Sequence, residues 1–157
     1  MGYIFRLQKA KFSSVENILS GYGAKLLGGR WNSIGKAVVY TSATPELALV
    51  ETLVHLEGFY FDELPAHVLA TIEVPENAII RADVAELPSD WNSLHTSPAT
   101  QQFTDNWLKQ QSSLVMAVPS VIVPMSFNYL INPNHPRMNE IKVVECIPFS
   151  FDSRFFK

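Results

Sequence analysis

Residues 28–55 read GGRWNSIGKAVVYTSATPELALVETLVH, and the parsing of this stretch decides the fold. Paired glycines bring Arg30 onto a loop, Ser33–Lys36 reads as a turn, and AVVYT is a strand by its β-branched content. Period two puts Val38 and Tyr40 on one face of that strand and Val39 and Thr41 on the other. Thr44 then suits an N-cap, Pro45 the first helical position and Glu46 the first turn. The spacing predicts a helix from there to about Glu57, stopped by Gly58. Leu47, Leu49, Val50, Leu53, Val54 and Leu56 form a broad apolar side, so the helix is expected to be substantially buried. Glu51 falls just past the edge of that side, with Ala48 nearby and His55 one turn on. A cation, a phenol and a carboxylate thus arrive on three consecutive elements among apolar neighbours. Burying such groups without partners costs several kcal/mol, roughly, so they pair with each other or await a ligand.

Upstream, YIFRL (3–7) alternates as a strand with Arg6 facing away from Tyr3, Phe5 and Leu7. A short helix or turn is expected at 13–20. GYGAKLLGG resembles a dinucleotide fingerprint only superficially. Leu26 stands where the third glycine belongs, and no helix is expected to open behind it, so the stretch reads as a flexible loop. Downstream, 59–66 reads as an irregular loop, HVLATIEV (67–74) as a strand and AIIR (78–81) as another. The polar stretch 87–96 around Trp91 is loop-like. Ser97-Pro98 opens a second helix to about Gln111, with Phe103 and Trp107 on one face. LVMAV is a buried strand, interrupted at Pro119-Ser120 before VIVP resumes, and INPNHP (131–136) is a turn. KVVECIPF (142–149) is the last strand. Strands outnumber helices without regular alternation, which gives an α+β class, a compact mixed sheet core with flanking helices, in one domain over 1–157.

With 157 residues, 47% hydrophobic and 17% charged, the composition is that of a packed globular chain. Net charge is −3 and no basic run occurs, which removes the footprint of direct nucleic-acid binding. The single cysteine, Cys146, excludes an internal disulfide framework and fits a reducing compartment. MGYIFRLQKAKF lacks the apolar run of a signal peptide, and LVMAVPSVIVPM is too short to span a bilayer. A cytoplasmic protein with no membrane association is expected.

Among the candidate residues, Arg30 reads either as a structural partner of Glu51 or as a bidentate ligand for a phosphate oxyanion beside close-packed backbone. Tyr40 alone reads as a core tyrosine with a satisfied hydroxyl. Glu51 is the sharper signal, because alanine or leucine usually fills such a helical position. Ser120 reads either as a bulge serine bonded to backbone or as a functional hydroxyl, and no G-x-S-x-G elbow supports a serine triad. His55, His67, His95 and His135 lack metal-ligand spacing, and Cys146 alone cannot build a zinc cluster, so no metal site is expected.

Taken with VPSVIVPMSFNYLINPNHP at 118–136, residues 28–55 resemble the RES domain, named for an arginine, a glutamate and a serine. Arg30 in GGRWN, Glu51 in LALVE and Ser120 in VPS match the naming positions, and the likeness runs from the first strand to the DSRFF tail. The resemblance implies a fold similar to that of the ADP-ribosyltransferase toxins. It also implies the toxin role in a two-gene toxin–antitoxin module, with an Xre-type helix-turn-helix antitoxin as partner and with allowance for a homodimer inside that complex. NAD⁺ would be the substrate, with no further cofactor, and the activity that of a glycohydrolase or phosphorylase. Arg30, Tyr40, Glu51 and Ser120 are the implied active-site residues; Trp31, Asn32 and Asn128 match further motif positions as substrate-binding candidates, as does Tyr129 with a less defined role.

Cleavage between nicotinamide and ribose passes through an oxocarbenium-like state that needs negative charge beside the sugar. Glu51 suits that task by accepting from the ribose 2′-hydroxyl. Tyr40 would stack on the nicotinamide cation, Arg30 would hold the pyrophosphate or orient the ribose, and Ser120 would fix the carboxamide or the nucleophile. Two other readings remain at this level. One is transfer of ADP-ribose to a specific host protein; the other is a non-catalytic nucleotide-binding module in which Arg30 and Glu51 merely pair.

Overall fold

A seven-stranded mixed sheet organises the computed structural model, which describes residues 1–56 and 58–156. In chain order the elements are β1 (Gly2–Lys9), α1 (Val15–Ile18), α2 (Tyr22–Leu27), β2 (Val39–Ser42), α3 (Pro45–Leu53), β3 (His67–Val74) and β4 (Ile79–Arg81). They continue with α4 (Pro98–Gln110), β5 (Val115–Pro119), β6 (Phe127–Ile131) and β7 (Lys142–Phe149), and short 3₁₀ turns fill several connections. Strand order is β4-β5-β6-β2-β1-β3-β7, with β4 and β5 parallel and every other neighbour antiparallel. The α+β class read from the sequence is the class observed. Among the described residues no helix is long and apolar enough to cross a membrane.

Alternation along β2, β5 and β6 sorts the core into two clusters. Val39, Val115 and Ile131 join Ile4, Ala70, Ile72 and Val74 on one face of the sheet. Val38, Met116, Val118 and Leu130 join Trp31 and Trp107 on the other, with Tyr40 and Phe103 packed against them. The assignment of Val38 and Tyr40 to one side therefore holds. Each fully buried aliphatic side chain contributes about 1.5–3 kcal/mol, which fixes the register of these strands.

Between β1 and β2 the ladder narrows to a single rung, Phe5 opposite Ser42. By contrast β1 pairs with β3 along its whole length. Arg6 plugs the gap, its Nη1 donating to the Tyr40 carbonyl at 2.7 Å and its Nε to Gln8 Oε1 at 2.6 Å. Loss of solvent around this guanidinium lowers its pKa to about 10.

Four local expectations need correction. The stretch 22–27, expected as a flexible loop, is helix α2, because Ala24 to Leu27 are good helix formers and a glycine with positive φ stands at each end. Helix α3 stops at Leu53, short of Glu57, which lies outside the described residues. There the bonds switch to His55 N–Thr52 O and Leu56 N–Leu53 O, tightening the last turn and drawing Leu56 into the interior. That helix is also less buried than its apolar side suggests: within it only Leu47 and Ala48 are buried, and Val54 is exposed. Finally, VIVP is no strand. Residues 121–125 form the turn of a hairpin whose second strand, β6, begins at Phe127. Ser120 Oγ accepts from the Ile122 and Val123 amides at 3.1 Å each, and Pro124 has no donor for a ladder.

Candidate active site

Helix α3 is started by the sequence signals that predict it. Thr44 Oγ1 accepts from the Leu47 amide at 3.1 Å and Pro45 holds the first turn. One and a half turns on, Glu51 reaches down to the sheet. Its Oε1 accepts from Ser120 Oγ at 2.7 Å and from Asn128 Nδ2 at 2.7 Å. These donors come from 69 and 77 residues away in the chain, at the facing ends of the β5–β6 hairpin. Asn128 is itself held, since its Oδ1 accepts from Ser42 Oγ at 2.8 Å. Tyr40, Ser42, Val118, Asn128 and Leu130 share one face of the sheet by register, so the carboxylate lies over the face that carries Tyr40.

Ser120 is wholly buried, and its hydroxyl has one proton and two acceptor positions. The proton goes to Glu51, and the two acceptor positions take the Ile122 and Val123 amides. Two backbone N–H groups thus polarise a hydroxyl whose hydrogen bond ends on a carboxylate. Among the described residues, every hydrogen bond to Glu51 falls on Oε1, which leaves Oε2 without a protein partner.

The arginine loop is built differently. Arg30 Nη1 donates to the carbonyls of Trp91 and Ser93, at 2.9 and 2.8 Å, rather than to any carboxylate. The ion pair with Glu51 is therefore absent among the described residues. Trp31 and Trp91 stack with ring centroids 6.2 Å apart, tying the same two loops together. Tyr40 fixes the loop from beneath: its hydroxyl donates to Asn32 Oδ1 at 2.6 Å and accepts from the Trp31 amide at 3.1 Å. Burial pushes the Tyr40 phenol well above the ordinary tyrosine value. The Asp105 charge adds to that shift, while the Trp31 amide and the Arg30 charge oppose it.

Trp31 and Asn32 face the interior, Trp31 in the core cluster on the Tyr40 face of the sheet and Asn32 among backbone groups. Asn32 Nδ2 donates to the carbonyls of Ala24 and Lys36, at 2.8 and 2.9 Å. Helix α4 adds two anchors that sequence reasoning missed. Gln101 Nε2 donates to the Gly29 and Asn32 carbonyls, and Asp105 accepts from the Ser33 amide and hydroxyl. Neither position carries a spacing signal in the sequence. Beside this loop runs a cleft of about 500 Å³ lined by Gly28, Gly29, Ile34, Thr96 and Gln101, among others. Tyr129, on the opposite face from Asn128, packs against the other cluster.

In its fold the chain is similar to a toxin–antitoxin protein. It aligns with a chain of the Mycobacterium tuberculosis MbcT–MbcA toxin–antitoxin complex at a TM-score of 0.76 and 16% identity, over 95% of this chain and 84% of that one. The chain belongs to the RES domain family, whose model matches residues 3–152. The Toxin Res of Photorhabdus laumondii subsp. laumondii is 39% identical over 156 residues, 98% of this chain and 97% of that protein. A protein of a Sphingobium species named Prs ADP-ribosylating toxin is 39% identical over 143 residues, 88% of this chain and 87% of its own length.

Proposed function

We propose that this protein is the toxin of a toxin–antitoxin module and acts by cleaving the nicotinamide–ribose bond of NAD⁺, with an Xre-type antitoxin holding it in check. The observation that carries the reading is the Glu51 carboxylate, held by two donors on one oxygen over the sheet face that also bears Tyr40. Such a carboxylate is a fixed negative charge that needs no reorganisation as the ribose carbon becomes cationic.

In this reading Glu51 Oε2 accepts from the ribose hydroxyls while Oε1 stays with Ser120 and Asn128. The bond from C1′ to the pyridinium nitrogen breaks, its electron pair stays on nitrogen, and nicotinamide departs neutral. No general acid is required for that step. The acceptor's oxygen then bonds to C1′ and its proton leaves to solvent. Ser120, wholly buried and with its hydroxyl spent on Glu51 and two amides, acts by orienting Glu51 and not, as expected from the sequence, by fixing the carboxamide or the nucleophile. Tyr40, its hydroxyl held by the loop, presents a ring of fixed orientation to the nicotinamide cation. Arg30 Nη1 is fixed by two carbonyls, so its remaining N–H groups would meet the pyrophosphate or ribose.

The test is product analysis of purified protein with NAD⁺, with and without inorganic phosphate. Free nicotinamide with ADP-ribose identifies a glycohydrolase, and a phosphorylated ADP-ribose formed only with phosphate identifies a phosphorylase. NAD⁺ left intact under both conditions sinks glycohydrolase and phosphorylase alike. The relative named as an ADP-ribosylating toxin favours a second reading, transfer to one protein target. Mass spectrometry of cellular proteins after induction would show a single ADP-ribosylated species while bulk NAD⁺ holds steady.

A further inference from the structure

Ser42 is a buried hydroxyl on a sheet face that is otherwise apolar at Val38, Leu130 and Val118. A serine there must find a partner or cost about 1–3 kcal/mol, and an aliphatic residue would fill the position without that demand. Its partner is Asn128 Oδ1 at 2.8 Å, and the direction of that bond follows from chemistry. Glu51 as a carboxylate only accepts, so the Asn128 amide must turn its NH₂ toward Glu51 and its oxygen toward Ser42. Ser42 must then donate. Glu51 sets which way the amide faces, and Ser42 holds the amide's far end in place. Ser42 also occupies a mechanical junction, since it stands opposite Asn128 on β6 and opposite Phe5 at the single rung between β2 and β1.

We propose that Ser42 is a positioning residue for the carboxylate: from the rung joining the two parts of the sheet it anchors the oxygen end of the Asn128 amide, which keeps the NH₂ aimed at Glu51 Oε1. Its consequence for catalysis rests on the NAD⁺-cleavage reading; its consequence for the geometry does not. Ser42 never touches the substrate. It acts through Asn128, and Asn128 acts through Glu51.

Two readouts on full-length protein test this. The side-chain NH₂ resonances of Asn128, assigned by their loss in Asn128→Asp, report the amide's hydrogen bonds whether or not NAD⁺ is a substrate. Ser42→Ala is expected to shift and broaden them, while the Trp31 and Tyr40 signals of the arginine loop stay in place. On NAD⁺, Ser42→Ala is expected to lower kcat roughly 10- to 100-fold, the scale of a displaced catalytic group, with KM little changed. In an Asn128→Ala background the same substitution is expected to cost nothing further. Should the alanine variant not fold, Ser42→Cys keeps the volume with a much weaker donor and is expected to give the same pattern. Unchanged Asn128 resonances, or equal losses of kcat in both backgrounds, would overturn the proposal. A wild-type protein that leaves NAD⁺ intact, beside a Ser42→Ala variant that still shows the resonance shift, would retain the positioning role and discard only the reaction.

Discussion

The two charged ends of the site are held by opposite strategies. Glu51 is gripped by side chains, from Ser120 and Asn128, that arrive from the sheet far along the chain. Arg30 is gripped by backbone, two carbonyls of a neighbouring loop, and its own loop is braced in turn by Tyr40, through Asn32, and by Gln101. The difference follows from what each charge needs. A carboxylate must keep one oxygen open and therefore wants few, well-aimed donors on the other. A guanidinium has five N–H donors in a fixed fork, so two of its bonds can be given to structure with donors left for a ligand. The carboxylate end is thus tuned by exchangeable side chains, and the arginine end by the shape of a loop.

The largest expected effect separates the two ends by charge alone. Glu51→Gln keeps an acceptor at Oε1, so Ser120 and Asn128 stay paired and stability should change by less than about 1 kcal/mol. Under the proposed reaction NAD⁺ cleavage should nevertheless fall by about 10²–10³-fold or more in kcat, because the charge assigned to stabilise the ribose cation is gone. Thermal melts beside a nicotinamide-release assay check both halves. A Glu51→Gln protein that cleaves NAD⁺ at the wild-type rate would falsify the assignment of Glu51 to the chemistry.

The same contrast explains what the sequence could and could not reveal. The arginine loop and the helix carrying Glu51 are local. Gly28-Gly29, the β-branched AVVYT run and Thr44-Pro45 announce turn, strand and helix start by short-range chemistry, and each forms where expected. The grip on Glu51 is non-local: nothing in VPS or SFNY says that those side chains meet 2.7 Å from one carboxylate oxygen until the sheet order is known. Ser42 stayed silent because a serine in a strand carries no signal of its own. The hairpin turn at 121–125 was hidden by the β-branched, apolar VIV, which reads as strand until Ser120's capping of two amides is seen. Helix α2 was obscured by its own glycines, which cap it rather than loosen it.

At the arginine end the next effect is structural. Tyr40→Phe removes one hydroxyl and leaves the Trp31 amide and Asn32 Oδ1 without their partner, at about 1–3 kcal/mol for each orphaned group. Chemical denaturation should register this loss. It should also register a pH signature whose sign is fixed by burial. The folded protein holds the Tyr40 proton more tightly than the unfolded chain does. The contribution of Tyr40 is therefore complete below about pH 10, where an ordinary tyrosine begins to ionise, and is lost as pH rises beyond that. The stability gap between wild type and Tyr40→Phe should shrink in alkali. A gap constant from pH 7 to 11 would mean that the phenol is not held as described.

The smallest of these effects tests how tightly the loop is shaped. A Cβ added at Gly29 would lie 2.7 Å from Tyr40 Oη, 3.0 Å from Asn32 Oδ1 and 3.2 Å from Tyr40 Cζ. None of these atoms ends a free side chain, since the Tyr40 hydroxyl and the Asn32 amide are bonded to each other. The loop must therefore move outward. Gly29→Ala should cost about 1–3 kcal/mol as overpacking and loosen the Arg30 contacts with the 91–93 carbonyls. Because the nearest contact is the hydroxyl, removing it should relieve the strain, so Gly29→Ala ought to cost measurably less in a Tyr40→Phe background. Such non-additivity is what two residues in direct contact produce. Additive costs would instead mean that the loop rests on α4 through Gln101 and Asp105, with Tyr40 only a neighbour; the arginine end would then be braced from one side, like the carboxylate end.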